Sequence, residues 1–596
     1  MGVLSSFLEA RTSKPAKKKA TKKKVVVKKA AKKAKPKKLT AKQLAAQRAA
    51  AQRAAAEAAA RQAAAQRAAQ QAAAKSAPKP APAPTPAPVP VPTPPPPPPR
   101  EIYDGTLTIY TDVASAVANT PHAAMAPLYW DPASHLLSRF AFGPTIESRS
   151  WIEANGAQAW WDQQVALAQS TPLYSGNAAV AAKGTMLGLT PAQVRAQLKA
   201  NGNEFGWDLM DQLTEVTVGL QIFSNAQLYE TVVDFFANHL NVANHSDEVW
   251  CSRQTFDRNV VRTHAFGSFT NMLLASAKDP AMLAYLNLAQ SKKTAINENY
   301  GRELLELHTV GIGNYTETDV KNASKILTGR TLDANQNYVY NANWHWTGAL
   351  TVMGFSHANS TASGGEAAGD AFVRYLAAHP KTAERLARKL CVRFVSDTPS
   401  DALVRQVANA YTNSGTQILP MLQTIVRSNE FWASRGLKVR RPAENLVATI
   451  RVLGNQPSDL SRVMHDMHWM CYSLGQVPLD WATPDGYPDV AEAWRSSGTL
   501  LQNWQYIIGF VQSWWTGWAT LDVNTLYGGV TPLNSGHAIN LLTKRLTNMT
   551  FSDEHRQYLQ NFLNEPATTP IAKSNLQWYL SHLIPLILEG PHHALR

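Results

Sequence analysis

The sequence predicts an all-α fold: a large multi-helix body with long irregular loops, preceded by a disordered basic tail, an Ala-rich helix and a Pro-rich linker. Three observations predict it. From Leu128 onward, apolar residues recur near i, i+3, i+4 and i+7 in one segment after another. Starts such as Thr190-Pro191 and Thr382 before Glu384, and stops at Gly311, Gly436 and Gly454, bracket those segments. Alternating, strand-like stretches are few, the weak run Thr106–Tyr110 among them.

The elements follow in chain order. Residues 1–39 form a Lys-rich tail with too little apolar surface to offset chain entropy, so disorder is expected. Residues 1–100 hold 23 Lys and Arg against Glu9 and Glu57, a net of +21; the whole chain is +15, which leaves −6 for residues 101–596. The basic character therefore belongs to the tail and not to the body. Lys17, Lys18, Lys19, Lys22, Lys23, Lys24, Lys28 and Lys29 are the candidate polyanion contacts, because clustered lysines release counterions from a polyanion without reading its sequence. The tail looks like the Lys/Ala/Pro tails of linker-histone-like proteins. Residues 40–76, rich in Ala, Gln and Arg, predict a helix capped at Thr40, a rod of roughly 54 Å. Residues 77–99 predict a polyproline II spacer.

Residues 100–510 form the helical body. Helices are expected over Ile152–Ala168, Thr190–Ala200, Asp208–Phe223, Leu228–Leu240, Thr255–Ala277, Pro280–Ala289, Asn297–Thr309, Glu317–Leu327, Ala367–Ala378, Thr382–Phe394, Ser400–Thr412, Ile418–Ser428 and Arg441–Leu453. Two stretches interrupt them, Leu332–Gly365 and Leu474–Ser497, both rich in aromatic and turn-forming residues. Residues 511–596 are read as a C-terminal helical extension.

Several chemistries are disfavoured. Cys251, Cys391 and Cys471 stand far apart, in neither zinc nor redox spacing, and no metal site is expected. There is no Gly-x-Ser-x-Gly elbow, Walker loop or dinucleotide fingerprint. No stretch is apolar enough to span a membrane, and no export signal is recognisable, so a cytoplasmic location is expected.

The body resembles the bacterial family catalogued as domain of unknown function 1800. The resemblance rests on ordered motifs over about residues 128–510. They are His135–Pro144, Asp234–Val242, Arg262–Gly267, the run Asn297–Gly313, Tyr315-Thr316-Glu317, Leu327-Thr328-Gly329, His379-Pro380 and Arg393-Phe394-Val395, then Asn429–Trp432, Arg441-Pro442, and Thr483–Pro488 with Trp494. It implies a mostly helical protein and no established activity or cofactor. It also implies export for many members, which makes the cell envelope or secretion the alternative location. A protein of the domain of unknown function 1501 family is the implied partner, since the two families' genes are often neighbours. Relatives commonly read His-Asp-x-Gly-x-Lys where this chain has His345-Trp346-Thr347-Gly348-Ala349-Leu350, without the acid and the lysine.

The run Asn297–Gly313 carries the densest polar chemistry. Glu298, Arg302 and Glu306 share one helical stripe at i, i+4 and i+8, with Asn299 and Glu303 on the next. The bland reading is an ion-paired face. The sharper one is a site in which His239, Glu303, Glu306 and His308 are the catalytic candidates, acting as acid and base or as cation ligands. Asn238 would orient His239, and Arg139 would pair with a carboxylate such as Glu303, beside His135. Arg302 and His345 complete the candidate binding residues, His345 with Trp344, Trp346 and His357 in an aromatic pocket. Functionally, the first reading is a helical scaffold or binding protein tethered by its basic arm to an envelope polymer or nucleic acid. A hydrolase-like or metal-dependent enzyme with a His/Glu pocket and a nucleoid-associated protein are the alternatives.

Overall fold

The computed structural model describes residues 131–596 except 171, 172, 204 and 550. The Lys-rich tail, the Ala-rich helix, the Pro-rich linker and the Thr106–Tyr110 stretch lie outside the described residues. Among the described residues there are 25 α-helices and two sheets of two strands each, so the body is all-α as expected.

The helices bury their apolar faces in two clusters. The first gathers side chains from Ala133 to Trp432, with Met464 and Leu479. The second joins Phe142, Val218 and Ile222 to residues between Ala443 and Leu588. The helix Trp207–Phe223 serves both: Leu209, Leu213, Val216 and Leu220 face the first, Val218 and Ile222 the second. A helix apolar on nearly every side must be buried on every side, which makes it the spine between the clusters. The segment beyond residue 510 supplies much of the second cluster, through Ser535–Thr547 and Leu576–Leu588.

Two expected helices depart from α-geometry. The run Asn297–Thr309 is one α-turn, Asn299–Glu303, followed by a π-turn, Leu304–His308. The wide turn is closed where Thr309 Oγ1 donates to the Leu304 carbonyl (2.6 Å) and Gly311 N to Leu305 O (2.9 Å). The extra residue per turn rotates everything after Glu303 out of the i, i+4 register. Arg302 accordingly keeps Glu298 (3.7 Å) but takes Glu317 as its bidentate partner (2.8 Å twice), and Glu306 accepts from Tyr315 OH (2.6 Å). Gly301 permits the close crossing of this turn over Glu317–Ile326, since a Cβ there would lie 2.2 Å from Ser324 Oγ.

The segment Thr255–Ala277 likewise divides into Arg253–Phe256, a π-turn Asp257–Arg262, and Phe269–Ser276. Residues five apart face one another in a π-turn, and Arg262 Nε meets Asp257 Oδ2 at 2.8 Å. Glu230 holds the other edge of that guanidinium at 3.1 Å, and Tyr174 OH donates to Asp257 (2.9 Å).

The irregular stretch 332–365 contains one antiparallel hairpin and the end of another. Arg330–Leu332 pairs with Tyr338–Tyr340, and Leu350–Val352 with Phe355–His357. His345, buried between them, places Nδ1 2.8 Å from Thr328 O and Nε2 2.8 Å from Asn359 Oδ1. Trp344 and Trp346 stack under the ammonium groups of Lys292 (4.1 Å) and Lys325 (5.0 Å), so these aromatics serve separate contacts.

Candidate functional site

The end of the helix Gln227–His239 meets the signature turn, the π-turn Leu304–His308 of the run Asn297–Gly313. His239 donates from Nε2 to the backbone carbonyl of His308 at 3.2 Å. The two histidines are 2% and 0% exposed, and both ring nitrogens of His308 lack a hydrogen bond. Burial is the main cause that drives the His308 pKa down to about 3, with Lys389 and Arg385 adding to it. The His239 pKa is lowered by the same burial and then by Lys389, His308 and Arg385. Glu303 and Glu306 are half-buried at the other edge of the turn. Asn299 opens it, its N–H bonded to Asn297 Oδ1 at 2.9 Å.

Arg139 and His135 bind helix ends. Arg139 donates from Nη1 to Phe394 O (3.2 Å) and Val395 O (2.7 Å) and from Nη2 to Ser434 O (2.7 Å). These carbonyls close Pro380–Phe394 and Asn429–Ala433, where a cation meets the negative end of the helix dipole. The carboxylate expected opposite Arg139 is thus replaced by carbonyls at both Nη atoms. His135 donates from Nε2 to Phe431 O (2.8 Å) and packs on the Phe431 ring.

Asn238 explains why two distant motifs belong together. Its Nδ2 donates to Tyr487 O (2.8 Å) and its Oδ1 accepts from Tyr487 N (2.6 Å), as a neighbouring strand would. Asn241 donates to Trp481 O (2.7 Å) and Thr483 O (2.8 Å). The Thr483–Pro488 loop is thereby stapled to the end of Gln227–His239. Gly486, at φ 75°, lies so close that a Cβ would stand 2.2 Å from the Asn238 carbonyl oxygen. Gly486→Ala is expected to cost about 2 kcal/mol or more, from the left-handed backbone and the clash together. Urea unfolding of the full chain measures it, and a loss under about 0.5 kcal/mol would be inconsistent with the staple.

Beneath this loop lies an ionic hub. Arg393 contacts Glu444 (2.5 Å), Asp234 (3.5 Å) and Asp489 (3.8 Å). Arg441 contacts Asp234 (2.5 Å) and Glu444 (3.1 Å). Arg596 reaches Glu444 and Asp489, each at 3.6 Å, and Lys438 reaches Asp397 (2.6 Å) and Asp489 (3.6 Å). Burial alone would raise the Glu444 pKa, but Arg393, Arg441 and Arg596 outweigh it and hold the carboxyl well below its usual range. Among the described residues, Arg393, Arg441, Arg596 and Lys438 pair with Asp234, Asp397, Glu444 and Asp489, and Arg139 and Arg440 add positive charge nearby. A small cleft above it is walled by Asp234, Asn238, Asn241, Arg441, Gln476 and Tyr487. Asp234, Arg393 and Arg441 already stand out in the sequence as motif positions, and Glu444 lies at i+3 from Arg441, but the segments that carry Asp234, Arg393, Arg441, Asp489 and Arg596 are too far apart for any spacing rule to join.

The structure therefore brings His239 and His308 together through a carbonyl, directs Glu306 to Tyr315 and Arg302 to Glu317, and sets His135, Arg139, Asn238 and His345 against backbone or amide groups. The candidate polyanion lysines lie outside the described residues. A family model described as a protein of unknown function, DUF1800, matches residues 135–595, running well past the motifs that end near residue 510. No curated protein and no solved structure matches the chain. With more than three quarters of its length matched, the chain belongs to the DUF1800 family.

Proposed function

We propose that this protein is a helical scaffold or binding protein, tethered to a polyanion by its Lys-rich N-terminal segment. The observation that carries the scaffold reading is the state of the signature histidines. His239 and His308 are 2% and 0% exposed, and burial favours their neutral forms. A general base must come within hydrogen-bond reach of its substrate, about 3 Å. The hydrolase-like alternative using His239, Glu303 and Glu306 would need a path to imidazoles that have none at their surface. The ion-paired hub and the asparagine staples are devices for fixing loops, which suits a scaffold.

The tether rests on charge: 23 Lys and Arg against two carboxylates in residues 1–100, ahead of a body of net −6. The full chain should bind duplex DNA or an anionic envelope polymer with an affinity that falls steeply as salt rises, by about 0.9 log units per log unit of salt for each DNA phosphate contact. Deleting residues 1–76 should abolish that binding. Binding that survives the deletion, or that ignores salt, would refute the tether. For the body, a protein of the domain of unknown function 1501 family is the first partner to test by co-purification.

A further inference from the structure

Away from the signature turn, four segments converge on a second histidine cluster. Asp211 comes from the helix Trp207–Phe223, His245 from the loop after Gln227–His239, His468 from the helix Leu460–Ser473, and Asp480 from the loop that follows it. His245 Nε2 lies 3.2 Å from Asp211 Oδ1, and His468 Nδ1 faces the same oxygen at 3.7 Å. One ligand atom from each of Asp211, His245 and His468 falls within 4.8 Å of the others. Two bonds with about 2.0 Å reach to a tetrahedral ion need their donor atoms roughly 3.3 Å apart, so small rotations of these side chains suffice.

Each imidazole is held in place. Trp207 stacks on His245 with ring centroids 6.2 Å apart, and Trp469 stacks on His468 at 5.5 Å. Asn244 anchors the His245 loop by donating to Met210 O (2.7 Å) and Thr214 Oγ1 (3.0 Å). Behind His245, Asp480 Oδ1 accepts the His245 backbone N–H (2.9 Å) and lies 3.0 Å from Nδ1, a close charge contact outside hydrogen-bond geometry that a small ring rotation would close. A carboxylate on the far nitrogen is the usual backing of a metal-binding histidine, because it turns the other nitrogen's lone pair toward the ion.

An ion pair between His245 and its two aspartates would account for part of this arrangement. It does not account for His468. That side chain is 5% exposed, and its Nδ1 makes no hydrogen bond although it points at Asp211. Burying an unbonded ring nitrogen beside a carboxylate is costly unless something occupies the gap.

We propose that Asp211, His245 and His468 form a binding site for one divalent first-row transition metal ion, with Asp480 orienting His245. Two imidazoles and one carboxylate suit zinc, iron(II), cobalt(II) or nickel(II) and leave coordination positions for water. The Asp211 side chain is 41% exposed, so the cluster opens to solvent on that side. The neighbouring pair, His465 Nδ1 with Glu215 at 3.1 Å, sits one turn along the same two helices and already bonds Trp469 Nε1 through its other nitrogen (3.2 Å).

Cobalt(II) is the probe. The full chain should take up one equivalent with visible d–d absorption, and cobalt should raise its unfolding temperature. Asp211→Asn and His468→Gln should each weaken uptake by about 100-fold or more and remove the thermal shift. Asp480→Asn should weaken it by about 10–100-fold and keep the band shape. No d–d band from the wild-type chain at millimolar cobalt would overturn the site, whatever the variants do. So would uptake by His468→Gln or Asp211→Asn equal to that of the wild type.

Discussion

Replacing Glu444 by Gln is expected to destabilise the protein by about 3–5 kcal/mol, the usual penalty for breaking a buried ion pair from one side. Glu444 is the only carboxylate of the hub that touches three guanidiniums, those of Arg393, Arg441 and Arg596. It also closes the start of Pro442–Leu453 by accepting from the Arg441 backbone N–H (3.2 Å). A neutral amide removes the one carboxylate these three guanidiniums share, in surroundings where Nε and Nη1 of Arg393 already lack hydrogen bonds. Urea unfolding of the full chain at neutral pH reads the loss, and a change under about 1 kcal/mol would mean the hub is better hydrated than its burial implies. A double variant, Glu444→Gln with Arg393→Met, should recover part of the loss, because the surplus charge disappears with its partner.

The second large effect is acid destabilisation through the buried histidines. His308, its pKa driven by burial to about 3, binds a proton less readily folded than unfolded, where the value is near 6.5. Its contribution to stability is therefore complete above about pH 6.5 and is lost as pH falls toward about 3, at about 1.4 kcal/mol per pH unit. His239 shifts in the same direction and for the same first cause, so the two steepen the fall together. Glu444, held below its ordinary range, adds its own loss only below about pH 4.5. Unfolding free energies between about pH 6.5 and 4.5 should thus fall steeply, and His308→Phe should flatten that slope by about 1.4 kcal/mol per pH unit whatever it does to the stability at pH 7. An unchanged slope would mean that His308 titrates normally.

Helices were legible where local signals agree. Thr190-Pro191 opens Pro191–Ala200 with a capping box, and the expected Asp208–Phe223, Thr382–Phe394 and Arg441–Leu453 match the observed helices to within two residues. The π-turns were not legible, because nothing in Leu304–His308 or Asp257–Arg262 distinguishes a wide turn from an α-turn until Thr309, Gly311 and Glu230 supply its partners. The i, i+4 arithmetic on Glu306 failed for that reason alone. The hub, its Arg441–Glu444 pair apart, and the Asp211, His245, His468 cluster are illegible for a different reason: each is assembled from segments tens to hundreds of residues apart, and spacing rules see only neighbours.

The central claim is that the polar signature of Asn297–Gly313 and His239 holds the packing together and faces no substrate. Diethyl pyrocarbonate footprinting of the native full chain, mapped by mass spectrometry at each histidine, tests it most directly. His239 and His308 should stay unmodified under conditions where the exposed His465 reacts completely. Modification of His308 or His239 at a rate comparable to His465, before any unfolding, would contradict the account and return the signature turn to the list of active sites.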